Sequence, residues 1–157
     1  MTSVRVFQIE NQLAKVVKQP GGKTIEQAVT AAEGRIEAVR ESCVAALAEK
    51  SEQLAALARA GRAGEDPKAL DGLYDLANAV YGIAGAFELV PLAHAAFSLC
   101  DLADGFRGGE PVNWPAIDVH VDGIRLLATV GPAIGAAGAE SILDGLKRVR
   151  ARVLPPS

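Results

Sequence analysis

The feature that most constrains this chain is a series of apolar residues that recur every three or four positions from residue 24 to about residue 60. Its members are Ile25, Val29, Ala32, Ile36, Val39, Cys43, Leu47, Leu54 and Leu57. Such spacing places side chains on one face of an α-helix. The breaker "PGG" precedes the series, and "TIEQ" is typical of a capping box in which Thr24 is the N-cap and Gln27 reaches back. The sequence therefore predicts a helix over 24–60 behind an N-terminal arm, residues 1–23.

That helix is longer than a typical bundle helix. Three interpretations follow and all stay open. The helix bends near Gly34, or one end projects and forms a homodimer by pairing residues 24–60 with a second copy, or its outer end is an amphipathic segment exposed only to solvent.

Composition favours helices for the rest of the chain too. Half of the 157 residues are hydrophobic but only 4% are aromatic, and alanine and leucine dominate. Glycine and proline breaks divide the remainder into predicted helices at 67–89, 91–107, 115–130 and about 141–153. Short connections favour antiparallel neighbours. We expect an all-α domain over 24–153, an up-down antiparallel four-helix bundle with a long first helix and an extra C-terminal helix.

Charge and targeting signals narrow the function classes. The net charge of -3 argues against a nucleic-acid partner, which needs a basic patch. The longest apolar run, "LLATVGPAIGAAGA", is too short to cross a membrane, and the N-terminus lacks the pattern of a signal peptide. Cys43 and Cys100 have no CxxC spacing and are expected as buried free thiols. We expect a cytoplasmic protein without metal, cofactor or membrane contact.

The stretch "LANAVYGIAGAF" contains two glycines within a predicted helix, where each costs roughly 1 kcal/mol relative to alanine. On a helical wheel the core arc holds Leu73, Leu76, Ala77, Val80, Ile83, Ala84 and Phe87. Asn78, Tyr81, Gly82 and Gly85 share the opposite arc. The glycines thus remove side chains from the predicted solvent side, where another surface could approach closely.

The longer stretch "LANAVYGIAGAFELVPL" resembles the core motif of histidine phosphotransfer (HPt) domains, approximately L-A-H-x-L-K-G-x-x-x-x-x-G-x-x-x-L. Leu76 and Ala77 match its lead-in, and Gly82 matches the glycine one turn after the phosphorylated histidine. The next stretch, "LAHAAFSLCDLADGF", also looks like the family's following helix. The resemblance covers about residues 67–107 and extends to 24–130. It implies a four-helix bundle that meets receiver domains of two-component systems.

Three positions depart from that motif. Asn78 occupies the place of the phosphorylated histidine, Tyr81 that of the lysine, and Glu88 that of the later glycine. An amide cannot form a phosphoramidate that serves as a phosphoryl donor, and a phenol offers a hydrogen bond but no cation. The resemblance therefore implies a pseudo-HPt protein of two-component signalling, chemotaxis included. It would bind a receiver domain or histidine kinase through Asn78, Tyr81, Gly82 and Gly85.

Alternatives from other classes remain. His94 and His120 are both expected on solvent faces, and either could accept a phosphoryl group in an active phosphorelay protein. A third hypothesis is a structural helical dimer without a signalling role.

The pairs Asp101 with Asp104 and Asp118 with Asp122 are best explained as solvated acidic faces. The basic stretch "KRVRAR" suits a helix C-terminus.

Overall fold

The computed structural model describes residues 21–154, apart from the side chain of Pro132. This part of the chain is all-helical and contains no strand, so the all-α prediction is confirmed. The four helices are α1 (Ile25–Ala63), α2 (Ala69–Ala86), α3 (Val90–Arg107) and α4 (Trp114–Val153). Residues 1–20 of the predicted arm lie outside the described range.

Backbone contacts divide the chain into two units, residues 1–38 and residues 39–157. In the described part of the first unit α1 begins with the predicted capping box. The Thr24 backbone N–H donates to Gln27 Oε1 at 3.0 Å, and the Gln27 N–H donates to Thr24 Oγ1 at 3.2 Å. Two of the unpaired donors at the helix start are thereby satisfied. All side chains of residues 21–38 are exposed except the half-buried Ala31.

The second unit contains one hydrophobic core, to which residues 39–63 of α1 and the other three helices all contribute. From α2 the buried residues are Ala69, Leu73, Ala77, Val80 and Ala84, so four of the seven residues of the predicted core arc are buried. Leu76, Ile83 and Phe87 are half-buried. From α3 they include Leu92, Ala96, Leu99, Ala103 and Phe106. The spacing of apolar residues thus identified the buried side of α2.

The helix boundaries follow local capping. Asn113 is the N-cap of α4, and its side chain accepts a hydrogen bond from the Ala116 N–H at 3.0 Å. At α2 the prediction was wrong by two residues. Asp66 accepts a hydrogen bond from the Lys68 N–H at 2.8 Å in a turn, and the helix begins only at Ala69. The carboxylate therefore stabilises the approach to the helix and does not cap its first turn.

The break in the C-terminal region also differs from the prediction. Residues 130–132, "VGP", were expected to separate two helices, but the backbone stays helical through them. The interruption lies at Gly135, whose φ of 72° and ψ of 170° are non-helical. Only glycine adopts this backbone region without strain. The kink therefore falls where the residue type permits it, three residues after the proline.

One close approach within the second unit depends on a glycine. A Cβ at Gly61 would lie 2.6 Å from the Cβ of Ala69 and closer still to the ring of Trp114. Glycine at this position lets α1 approach the starts of α2 and α4. Within residues 21–154, no helix combines the length and the apolar character that crossing a membrane would require.

Candidate functional site

The four residues of the predicted strip share the outer face of α2. Asn78, Tyr81, Gly82 and Gly85 are all exposed, opposite the buried Ala77, Val80 and Ala84. Added Cβ atoms at Gly82 and Gly85 would meet no atom within 4 Å. Neither glycine is therefore required by packing inside the described chain. We call Asn78, Tyr81, Gly82 and Gly85 the α2 strip.

The strip continues onto α3 through an aromatic contact. The ring centroids of Tyr81 and Phe97 lie 5.7 Å apart with the planes tilted by 50°. Phe97 is 58% exposed and Tyr81 is 43% exposed. An aromatic pair that remains this accessible offers apolar area for a partner. Sequence reasoning did not single out Phe97, although its position off the buried stripe of α3 was a usable signal.

His94 lies one turn before Phe97 and is exposed, as predicted. Both residues line a groove of about 490 Å³ between α3 and the last turns of α4. Lys147 and Arg150 line it from α4. The Nε of Arg150 donates to Asp101 Oδ2 at 2.7 Å, and Lys147 Nζ lies 3.7 Å from Asp144 Oδ1, so both cations lie beside carboxylates. This groove is the place where basic side chains come nearest to an exposed histidine.

The expectation that His120 faces solvent is wrong. Its side chain is 0% exposed, among the buried residues Ile117, Val121 and Ile124 of α4. His120 Nδ1 lies 2.8 Å from the Ala116 carbonyl oxygen, and Nε2 lies 3.0 Å from Ser98 Oγ. The carbonyl can only accept, so Nδ1 carries the proton and Nε2 accepts from the Ser98 hydroxyl. No incoming phosphoryl group can reach this buried ring.

Burial also sets the charge of that histidine. Desolvation lowers the pKa of His120 below its ordinary value of 6.5, and the hydrogen bond to the Ala116 backbone opposes this only in part. The ring is therefore neutral at neutral pH. A neutral ring with both nitrogens hydrogen-bonded is a structural link between α3 and α4.

The acidic pairs engage basic side chains. Asp118 accepts from Arg62 at 2.6 Å, and Asp122 lies 3.6 Å from Arg125. Arg125 also binds Glu52 through Nε and Nη2 at 2.9 and 3.0 Å. These contacts agree with the expected solvated, ion-paired acidic faces.

The two cysteines are both free. Cys100 is buried as predicted, and desolvation raises its pKa to about 11. Cys43 is only half-buried, so the prediction of burial is wrong for this thiol. Among residues 21–154, no group of three or more histidine, cysteine or acidic side chains is arranged to hold a metal ion.

Comparison with family models, with curated proteins and with solved structures returned no match. The α2 strip and its surroundings are therefore the features from which a function can be inferred.

Proposed function

We propose that this protein is a non-catalytic pseudo-HPt module that binds a receiver domain or a histidine kinase in cytoplasmic two-component signalling. In this proposal its helices form the up-down antiparallel bundle of such modules, and the α2 strip is the contact surface. Phe97 extends that surface, and the module occupies its partner without carrying phosphate. The binding experiment below identifies the partner and therefore its signalling pathway, of which chemotaxis is one candidate.

The observation that carries the proposal is the open space above Gly82 and Gly85. Both glycines lower the helix propensity of α2 by roughly 1 kcal/mol each relative to alanine. No packing contact explains them, since a Cβ at either position meets nothing within 4 Å. A surface outside the chain that must approach the helix backbone closely gives them a reason. Gly82 also stands where the HPt motif has the glycine that admits the receiver domain.

The chemistry of the strip supports binding without transfer. Asn78 has no nucleophilic nitrogen, because its amide lone pair is delocalised. The strip itself contains no cation, and Tyr81 can only exchange hydrogen bonds and apolar contact. A receiver domain bound here could approach the helix closely and contact Asn78 and Tyr81, but no residue of the strip could accept its phosphoryl group.

Binding to purified receiver domains of the source organism's two-component proteins tests this proposal. We expect one of them, or a histidine kinase, to bind the wild-type chain in titration calorimetry. Gly82→Gln places a long side chain in the contact and should weaken binding at least tenfold, or about 1.4 kcal/mol. Gly34→Gln is the matched control, because Gly34 is also a helical glycine with open space around it.

Two outcomes would overturn the docking face. One is a folded Gly82→Gln variant that binds as tightly as the wild type. The other is a complete panel of receiver domains and kinases with no binder. A Cβ at Gly82 meets no atom of the described residues within 4 Å, so the variant is expected to fold, and circular dichroism of the variant checks this.

A second candidate is an active phosphotransferase that uses His94. The exposed ring, with Lys147 and Arg150 lining the same groove, favours it over any other histidine. In such a transfer a bond forms between a His94 ring nitrogen and phosphorus. The acyl-phosphate bond of the donor breaks and its aspartate carboxylate leaves. Against it, Asp101 adds a negative charge to the groove.

Incubation with a radiolabelled phospho-receiver separates the two candidates. Acid-labile label on the wild-type chain that disappears in His94→Gln would replace the adaptor proposal with the transferase. Absence of label in the presence of measurable binding supports docking without transfer. His120→Gln serves as the control, since the buried ring should make no difference to labelling.

A further inference from the structure

The N-terminal part of α1 displays large apolar side chains that remain exposed within the described chain. Ile25 is 85% exposed, Val29 49%, Ile36 63% and Val39 56%. These values belong to a helix in which nearly every side chain from residue 21 to residue 38 is exposed. Helix propensity alone stabilises such a segment poorly in water, since most helical stability in proteins comes from packing of an apolar face.

The exposed residues follow a seven-residue repeat. Alternate steps of four and three lead from Ile25 through Val29, Ala32, Ile36 and Val39 to Cys43. In heptad notation Val29, Ile36 and Cys43 occupy a positions, and Ile25, Ala32 and Val39 occupy d positions. A repeat of 3.5 residues keeps such a face turned toward one partner helix. Gly34 falls at f, on the opposite side of the helix.

We propose that two copies of this protein associate through this face of α1 as an antiparallel coiled coil, with Ile36 of each copy packed against Val39 of the second copy. We call Ile25, Val29, Ala32, Ile36, Val39 and Cys43 the α1 seam. The proposal is independent of the proposed function, because it uses a different helix face and a different partner.

Charges beside the seam decide the orientation. In a parallel pair each g residue faces the e residue five positions further along the partner. Arg35 would then face Arg40 of the second copy, twice by symmetry. In the antiparallel pair e residues face each other. When Ile36 packs against Val39, the e residue Glu33 of each copy faces the e residue Arg40 of the other. The g residue Arg35 then faces the g residue Ser42, which is neutral. The parallel arrangement is repulsive and the antiparallel one is attractive.

The antiparallel register also places Ala32 beside Cys43 of the second copy. Disulfide trapping therefore tests the orientation directly, in full-length chains carrying Cys100→Ala. With only Cys43 the antiparallel dimer should give no crosslink under mild oxidation, since the two thiols are far apart. Adding Ala32→Cys should give a covalent dimer. Gly34→Cys, on the outer side of α1, is the control and should not crosslink.

Efficient crosslinking through Cys43 alone would overturn the proposal in favour of a parallel pair. Failure of Ala32→Cys to crosslink would also contradict it.

Sedimentation equilibrium of charge variants gives a second test. Arg40→Glu should weaken the dimer at least tenfold, because it faces Glu33, and the double variant with Glu33→Arg should restore the affinity. A parallel dimer predicts the reverse for Arg40→Glu, which would then face Arg35 and tighten association. A wild-type chain that sediments as a monomer at high micromolar concentration would remove the interface altogether. The Gly82→Gln variant should dimerise like the wild type, which keeps this test separate from the docking face.

Discussion

The close approach at Gly61 and the α2 strip contain the same residue type for opposite reasons. At Gly61 a methyl group would collide with Trp114 and with Ala69, so the glycine is required by the chain's own packing. At Gly82 and Gly85 a methyl group would meet no atom of residues 21–154 within 4 Å. The first glycine lets the chain's own helices approach one another, whereas the other two leave room on an outer face.

This difference separates a structural requirement from a functional one. A glycine inside a helix lowers stability unless some close approach compensates. Where the compensating neighbour is present in the chain, the residue is explained by the fold. Where the space is empty, no neighbour within residues 21–154 accounts for the glycine. The predictions below measure how far the interior and the outer strip differ.

The largest effect is expected at Gly61. Gly61→Ala should lower the free energy of unfolding by about 2 kcal/mol, because overpacking against the Trp114 ring and Ala69 outweighs the gain in helix propensity. Urea unfolding followed by circular dichroism measures it. Gly145→Ala, at an open position of α4, is the control and should be neutral or slightly stabilising. If Gly61→Ala were as stable as the wild type, Gly61 would not differ from the glycines of the α2 strip.

An intermediate effect is expected from the buried His120 as pH falls. Its folded-state pKa lies below 6.5, so folding favours the neutral ring, and the resulting stability is present above pH 6.5. As pH drops below that value the unfolded chain takes up the proton first. The free energy of unfolding should then decline by up to about 1.4 kcal/mol per pH unit until the folded-state pKa is reached.

Urea titrations between about pH 6.5 and 5 check this slope. His120→Gln should flatten it, because this variant lacks the buried imidazole. An identical slope in His120→Gln would show that other groups carry the pH dependence.

The smallest effect is expected on the strip, with the opposite sign. Gly82→Ala and Gly85→Ala should each raise the free energy of unfolding by about 0.5–1 kcal/mol, since alanine is the better helix former and the space is open. Thermal unfolding measures the gain. Destabilisation by either substitution would mean that internal packing requires the strip glycines, as it requires Gly61.

Much of the fold could be predicted from apolar spacing. The buried faces of α2 and α3 have strict helical periodicity, and the start of α4 has an unambiguous N-cap in Asn113. The exposure of the α2 strip followed from the same periodicity. The spacing could not predict how the helices pack against one another. Phe97 stands beside Tyr81 because of how α3 lies against α2, a relation no local pattern contains.

Two errors have physical explanations. His120 falls within the apolar arc of α4, between Ile117 and Ile124, but its polar character suggested exposure. Burial becomes tolerable because Ser98 on another helix and the Ala116 carbonyl satisfy both ring nitrogens. The kink was predicted at the "VGP" proline and occurs at Gly135. Only a glycine can reach that backbone conformation without strain.

Glu88 in the short connection between α2 and α3 has a φ of 58°, the one positive value at a non-glycine residue within residues 21–154. Its N–H donates to the Gly85 carbonyl at 3.3 Å, and the next residue's N–H donates to Ala84 at 2.9 Å. Glycine is the residue that most readily takes such a left-handed conformation, and other residues rarely do. The connection between α2 and α3 therefore holds its glutamate in a backbone shape that side chains seldom adopt, and the two hydrogen bonds to the end of α2 define that shape.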